Sequence, residues 1–504
     1  MVATRTLRKR TVAAALAVVC LLPACGVDLD DGADPAFRGG DGGGGRDDGV
    51  IGSPIEPSTT TVAPTTAPPP VDVEVTGDDG SDLNKVAANA IADIEAYWAE
   101  VYPDVYGGDY EPLSGGFFAI DAGTDPSGLP CSPTDIEQVL YNAYYCPPDD
   151  AIAWDQEGLF PDLAEQFGDF AVAVVLAHEW GHAIQARADF EESTVVTELQ
   201  ADCFAGAWVK HVRTDDEARF DISTQDLDLA LAGILSLRDA PGLLPTDTNA
   251  HGSGFDRVGA FQDGYEETAE RCTQYTEGDP EPYQFEFLTD EEEASEGNLP
   301  FTETEQPDGS VVEGIDTLAF TGLEQYWTEV FPDLSGGKEW EPLDPAVAFS
   351  PGDPPMCNGK EVTQFRLFYC VPDRYVGYDA EETLPAAHDD LGDFAVGSLF
   401  GTQYGLAVQE QLGNEAPDEI TATLRGDCYA GAWAAAIIPN ENGQTDVTSD
   451  IVLSPGDLDE AVAVLLSFRS DSDRGRQGPG FERVKAFRTG VVRGPEECAD
   501  LKAE

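Results

Sequence analysis

Apolar residues gather along this chain in several patterns, and each pattern predicts a different kind of segment. Val12 to Leu22 is almost unbroken apolar sequence behind a basic head of Arg5, Arg8, Lys9 and Arg10. That run is too short to span a bilayer and reads as the core of an export signal over 1–24. From 25 to 80 the apolar pattern gives way to Gly, Asp, Thr and Pro, with a glycine tract at 42–45 and a Thr/Pro run from Pro57 to Pro70. Such a composition buries too little apolar surface to order itself, so 25–80 is expected to be a disordered tether. Asp169 to Arg187 is different again: it is apolar for most of its length, lacks proline and follows Gly168. It is long enough for a helix, and it predicts one.

The patterning beyond residue 80 occurs twice. Ile94-Glu95-Ala96-Tyr97-Trp98-Ala99-Glu100-Val101-Tyr102-Pro103-Asp104 answers Leu323-Glu324-Gln325-Tyr326-Trp327-Thr328-Glu329-Val330-Phe331-Pro332-Asp333. Gly168-Asp169-Phe170-Ala171-Val172 answers Gly392-Asp393-Phe394-Ala395-Val396, and Asp202-Cys203-Phe204-Ala205-Gly206-Ala207-Trp208 answers Asp427-Cys428-Tyr429-Ala430-Gly431-Ala432-Trp433. A period this long implies duplicated domains rather than a solenoid. The expected organisation is one domain over 81–280, an acidic linker over 281–311 and a second copy over 312–504.

Cysteine usage sharpens this reading. Past Cys25 each cysteine of the first copy has a counterpart in the second: Cys131 with Cys357, Cys146 with Cys370, Cys203 with Cys428 and Cys272 with Cys498. Four per copy in an exported chain points to disulfides. The close pairs Cys131/Cys146 and Cys357/Cys370 are the obvious bridges, leaving Cys203/Cys272 and Cys428/Cys498, although three connectivities per copy are open. No C-x-x-C pair occurs, which argues against thiolate zinc sites. Leu22-Pro23-Ala24-Cys25-Gly26 resembles a bacterial lipobox, so Cys25 is expected to carry the lipid that anchors the mature chain outside the cytoplasm, on the bacterial cell membrane. An ordinary secretory signal is the other reading. The 96 acidic residues against 27 Lys and Arg, a formal net charge of −69, make approach to nucleic acid repulsive and exclude it as a partner.

Within the predicted helix stands His178-Glu179-Trp180-Gly181-His182. Histidines four apart on a helix project from one face, so both imidazoles can grip one tetrahedral zinc. Glu179 is placed to take a proton from the metal-activated water and pass it to a leaving amine. A third ligand is required. A third histidine in H-E-x-x-H-x-x-G-x-x-H fails because Gln185 and Ala188 occupy the Gly and His places, and Met356 is the only methionine besides Met1, which rules out a Met-turn. Glu198, in Glu198-Leu199-Gln200-Ala201-Asp202 after a stretch long enough for a turn, is the candidate. Asp202, one helical turn on, can accept from the distal nitrogen of a zinc histidine.

H-E-W-G-H-A-I-Q followed by E-L-Q-A-D-C-F-A-G-x-W resembles the neutral zinc metallopeptidase family within the gluzincin group, most strongly over 168–272. The resemblance implies an α-rich zincin-like domain with His178, His182 and Glu198 as ligands, Glu179 as catalytic residue and Zn2+ as cofactor. It extends to His251-Gly252-Ser253. The second copy has Thr402, Gln403, Leu406 and Thr423 where the first has His178, Glu179, His182 and Glu198. It therefore lacks every proposed metal and catalytic group, and one zinc per chain is expected. Asp427 persists opposite Asp202 although no histidine remains to orient, so a structural role for Asp202 is equally open. His251 faces Gln477 and vanishes with the site; it is a candidate for stabilising an oxyanion, and a satisfied loop histidine is the alternative. His211 and His388 lack motif context and read as surface residues.

The expectation is an α+β fold, predominantly α, duplicated in tandem. The first copy would hydrolyse peptide bonds of a protein or peptide substrate, and the second would be a non-catalytic scaffold or a docking surface for a protein partner. The rival is a non-catalytic zinc-binding or partner-binding lipoprotein.

Overall fold

The computed structural model describes residue 71 and residues 73–503, apart from 216, 247–249, 277, 307–308, 441 and 468–470. The signal segment, Cys25 and nearly all of the tether lie outside the described residues. Helix accounts for about 52% and strand for 10%, so the fold is α+β with helix dominant.

The first half runs β1 (Val75–Thr76), α1 (Asp82–Val105), β2 (Gly116–Ile120), β3 (Ala143–Cys146), β4 (Ala151–Asp155), α2 (Leu159–Phe167), α3 (Asp169–Arg187), α4 (Thr194–Thr214), α5 (Thr224–Ser236) and α6 (Gly254–Cys272, broken at Thr268). After α7 (Asp290–Ala294) and the hairpin β5 (Thr304–Glu305) and β6 (Val311–Val312), the second half follows. It comprises α8 (Ile315–Leu334), β7 (Val347–Phe349), the hairpin β8 (Met356–Cys357) and β9 (Lys360–Glu361), β10 (Leu367–Cys370), β11 (Tyr375–Asp379), α9 (Thr383–Leu391), α10 (Asp393–Leu412), α11 (Glu419–Ala436), α12 (Asp457–Ser467), α13 (Asp471–Gln477) and α14 (Gly480–Arg493). Both halves thus present a long helix, a small sheet, and then a run of helices in the same order.

The first sheet has the order β1-β2-β4-β3, with β3 antiparallel to β4 and at the edge. In the second half the order is β10-β11-β7, and β10 is again the antiparallel edge strand. The helix α3 is buried almost all round, from Phe170 to Gln185, as its nearly continuous apolar sequence requires. Two close approaches position it and its neighbours. A side chain at Gly181 would lie 2.7 Å from the Ala201 backbone, so this glycine lets α3 settle onto α4. A side chain at Gly264 would lie 1.8 Å from the Cys203 carbonyl, and Gly490 stands in the same relation to Cys428, so α6 on α4 and α14 on α11 are equally tight.

The disulfides are Cys131–Cys146, Cys203–Cys272, Cys357–Cys370 and Cys428–Cys498. Of three connectivities per half, the folded chain adopts the one that joins each close pair and then ties α4 to α6 and α11 to the chain after α14.

The halves share one continuous core, and they cap each other's helices. Asp228 of α5 accepts from the Gly480 and Phe481 N–H groups at the start of α14, at 2.9 and 2.8 Å. Asp459 of α12 accepts from the Phe255 N–H at the start of α6, at 2.7 Å. Carboxylates at helix N-termini satisfy orphan donors and the positive end of the helix dipole. The 281–311 segment bonds to both halves: the Tyr283 N–H donates to Asp256, and the Leu299 N–H to Asp393. Among the described residues no helix is long and apolar enough to cross a membrane.

Candidate metal centre

On α3, His178 and His182 stand one turn apart, ring centroids 4.8 Å from each other. Because Gly181 draws α4 close, Glu198 enters the same space from α4. The ligating atoms of His178, His182 and Glu198 all lie within 4.8 Å of one another, with His178 Nε2 3.3 Å from Glu198 Oε2 and His182 Nε2 3.6 Å from Oε1.

Both imidazoles are held from behind. His178 Nδ1 pairs with Asp202 Oδ1 at 2.7 Å; an ionised carboxylate only accepts, so Nδ1 carries a proton and Nε2 is the nitrogen directed to Glu198. His182 Nδ1 donates to Gln185 Oε1 at 2.8 Å, and the Gln185 amide is oriented by its Nε2 donating to the Thr197 carbonyl at 2.6 Å. Two Nε2 atoms and a carboxylate converging from two helices are a nitrogen- and oxygen-donor set suited to zinc, and three protein ligands would leave a fourth position for water or substrate.

The electrostatics agree. Burial works against a charge on His178, yet Asp202 and Glu198 outweigh it and hold its pKa up to about 10. The acidity that attracts a proton there attracts a cation equally. Burial also pushes against ionisation of Glu198, but His182 and His178 hold its carboxyl well below the ordinary range.

Glu179 is 8% exposed and accepts from the Tyr145 N–H at 2.8 Å. Tyr145 belongs to β3, and this N–H is directed to α3, not to β4. Burial raises the Glu179 carboxyl, with the two histidines pulling in the opposite direction.

Asp202 serves two partners. Besides His178 it takes both Nε and Nη2 of Arg257, from α6, at 2.8 and 3.0 Å. The second half repeats the arrangement without an imidazole: Arg483 bridges Asp427 at 2.7 and 2.8 Å, and Thr402 Oγ1 donates to Asp427 Oδ1 at 2.8 Å. The aspartate is therefore both the anchor of a buried ion pair, common to the two halves, and the orienting partner of His178, present in the first half alone.

His251 does not join the three candidate ligands. Its N–H donates to Asp239 Oδ2 at 2.7 Å and its Nδ1 faces Asp239 Oδ1 at 3.2 Å, while the following Gly252 packs near Leu199, the residue after Glu198. His211 pairs with Asp215, and His388 meets the Leu299 carbonyl through Nε2. Arg257, Gln185 and Tyr145 were missed as supports of the site. Arg257 had a signal, since Gly254-Phe255-Asp256-Arg257-Val258 answers Gly480-Phe481-Glu482-Arg483-Val484; the Tyr145 backbone contact had none.

Comparison with known proteins falls on this same region. A family model described as "Putative neutral zinc metallopeptidase" matches residues 59–275. The first half is thus similar to that family over its matched residues, and the second half lies outside them. The Mycobacterium bovis protein Mb2605 is 32% identical over 166 residues, covering 28% of this chain and 55% of that protein. The Escherichia coli K12 protein YpfJ is 28% identical over 154 residues, covering 26% of this chain and 52% of its own length. Both carry the description "uncharacterized", and the chain spans about half the length of these curated relatives. No solved structure matches.

Proposed function

We propose that the chain is an extracytoplasmic metallopeptidase, tethered through a lipid on Cys25, that hydrolyses peptide bonds at the His178, His182 and Glu198 centre. The observation that carries this reading is the convergence of those three donors beside a buried glutamate that is not among them. Zinc, when bound, polarises a carbonyl and makes water nucleophilic near neutral pH. Glu179, fixed by the Tyr145 N–H, takes the proton of the attacking water and delivers it to the departing amine. Asp202 and Gln185, through the two Nδ1 atoms, hold the imidazoles so that His178, His182 and Glu198 would be the groups that take the metal. The edge strand β3 faces Glu179, so an extended peptide laid along it would bring its carbonyl to the centre. The second half, with Thr402, Leu406 and Thr423 at the corresponding places, holds no zinc and acts as a scaffold or as a docking surface for a protein partner.

Elemental analysis after exhaustive dialysis, joined to an assay on an unstructured protein, tests this. One zinc per chain is expected, with Glu198→Ala losing it and Glu191→Ala keeping it. Two zinc ions per chain, or equal losses in the two variants, would overturn the ligand assignment. For the anchor, intact-mass analysis of the mature protein should show an N-terminal acylated Cys25; an unmodified N-terminus further along the chain would end that part of the reading.

A further inference from the structure

The second half contains a carboxylate cluster that the peptidase reading does not use. Asp393 at the start of α10, and Asp457 and Glu460 in the first turn of α12, each bring an oxygen within 4.8 Å of the other two. Asp393 and Asp457 are buried and Glu460 is half-buried. Each commits one oxygen to a backbone donor: the Leu299 N–H to Asp393 Oδ2 at 3.1 Å, the Ser454 N–H to Asp457 Oδ2 at 2.8 Å, and the Phe394 N–H to Glu460 Oε2 at 2.8 Å. The remaining oxygen of Asp393, Oδ1, is sealed from solvent in a residue only 3% exposed, and it has no hydrogen-bond partner. None of the three forms an ion pair with a Lys or Arg among the described residues.

A buried oxygen that accepts nothing is costly, and three carboxylates this close cannot all stay ionised without a proton or a cation between them. Burial, followed by mutual repulsion, drives Asp457 well above the ordinary range and Glu460 up to about 8. The first half supplies a comparison. Asp457-Leu458-Asp459-Glu460-Ala461 answers Asp226-Leu227-Asp228-Leu229-Ala230, so the third carboxylate stands where the first half has leucine. There Asp226 turns its carboxylate to the N–H and hydroxyl of Ser223, closing a capping box on its own helix. An acid in place of a leucine at this depth disfavours folding unless something compensates.

We propose that Asp393, Asp457 and Glu460 form a binding site for a hard divalent cation of the calcium class, which ties the N-terminal ends of α10 and α12 together. An all-oxygen set with three carboxylates suits calcium, magnesium or manganese and not zinc, which prefers the imidazole-containing centre of the first half. Occupancy also engages Asp393 Oδ1 and removes the repulsion.

The test uses the full chain freed of metal on chelating resin and titrated with Ca2+ at neutral pH, read by calorimetry and by thermal unfolding. One calcium per chain and a rise in Tm are expected. Glu460→Leu, which restores the first half's residue and should fold even if Asp393→Asn does not, is expected to weaken binding about tenfold or more. His178→Ala should leave calcium uptake unchanged, which separates the site from the zinc centre. Absence of calcium, magnesium and manganese uptake by the unaltered chain, with Tm responding only to pH, would show that protons neutralise the cluster and would overturn the proposal. Undiminished uptake in Glu460→Leu would overturn it as well.

Discussion

Glu179→Gln is expected to lower turnover on an unstructured protein by about 10²–10⁴-fold while leaving one zinc bound. Gln keeps an acceptor oxygen for the Tyr145 N–H, so the side chain stays in place, and Glu179 is not one of the three groups whose donor atoms converge. What the substitution removes is a base: a carboxamide cannot take the proton of the attacking water. His178→Ala and His182→Ala should differ from it by losing zinc and turnover together. Near-normal turnover in Glu179→Gln would remove the mechanism, and loss of zinc in that variant would mean that Glu179 is a ligand.

Arg257→Met is expected to destabilise the chain by about 3–5 kcal/mol, because it strips a buried carboxylate of its bidentate partner. Asp202 is fully buried, and burial alone would raise its carboxyl; Arg257 and then His178 hold it below the ordinary range. With the guanidinium gone, Asp202 either takes a proton or draws more strongly on His178, and in both cases the ring that presents Nε2 is held differently. Arg483→Met removes the matching partner of Asp427, whose side chain is likewise fully buried, at a comparable cost in stability. Only the first variant should also lose zinc more readily to a chelator, since no imidazole rests on Asp427. Urea denaturation and competitive zinc release measured on both would decide it, and equal zinc retention would show that Arg257 supports the fold alone.

The grouping of the candidate site was legible along the chain because its central piece is local. His178 and His182 are four residues apart, and any helix through them places both rings on one face. An apolar, proline-free run from Asp169 to Arg187 makes that helix the expected state. Glu198 could be reached because one turn separates two adjacent helices. Asp202 was ambiguous in sequence since Asp427 persists without a histidine, and the ambiguity dissolves once Arg257 and Arg483 are seen against the two aspartates. Each of those arginines lies more than fifty positions along the chain from its aspartate, at separations of 55 and 56. Periodicity within a helix carries no information about which distant side chain it will meet.

The sequence by itself determined what depends on neighbours a few residues away: the helical segment bearing His178 and His182, the recurring order of apolar and cysteine positions, and the absence of an imidazole or carboxylate at Thr402, Leu406 and Thr423. Only the tertiary structure decided which of the possible cysteine pairings forms, that Gln185 and Asp202 hold the two imidazoles, and that Tyr145 presents a backbone N–H to Glu179. It also decided that Asp228 and Asp459 cap helices across the two halves, and that three acids from α10 and α12 come together, one of them, Asp393, with an unpartnered oxygen. The physical reason is the same in each case. Local spacing sets backbone hydrogen bonds and side-chain direction, whereas ion pairs, caps and metal-like clusters depend on how close two helices come, and here that distance is set by glycines such as Gly181 and Gly264, whose missing side chains let the backbones approach.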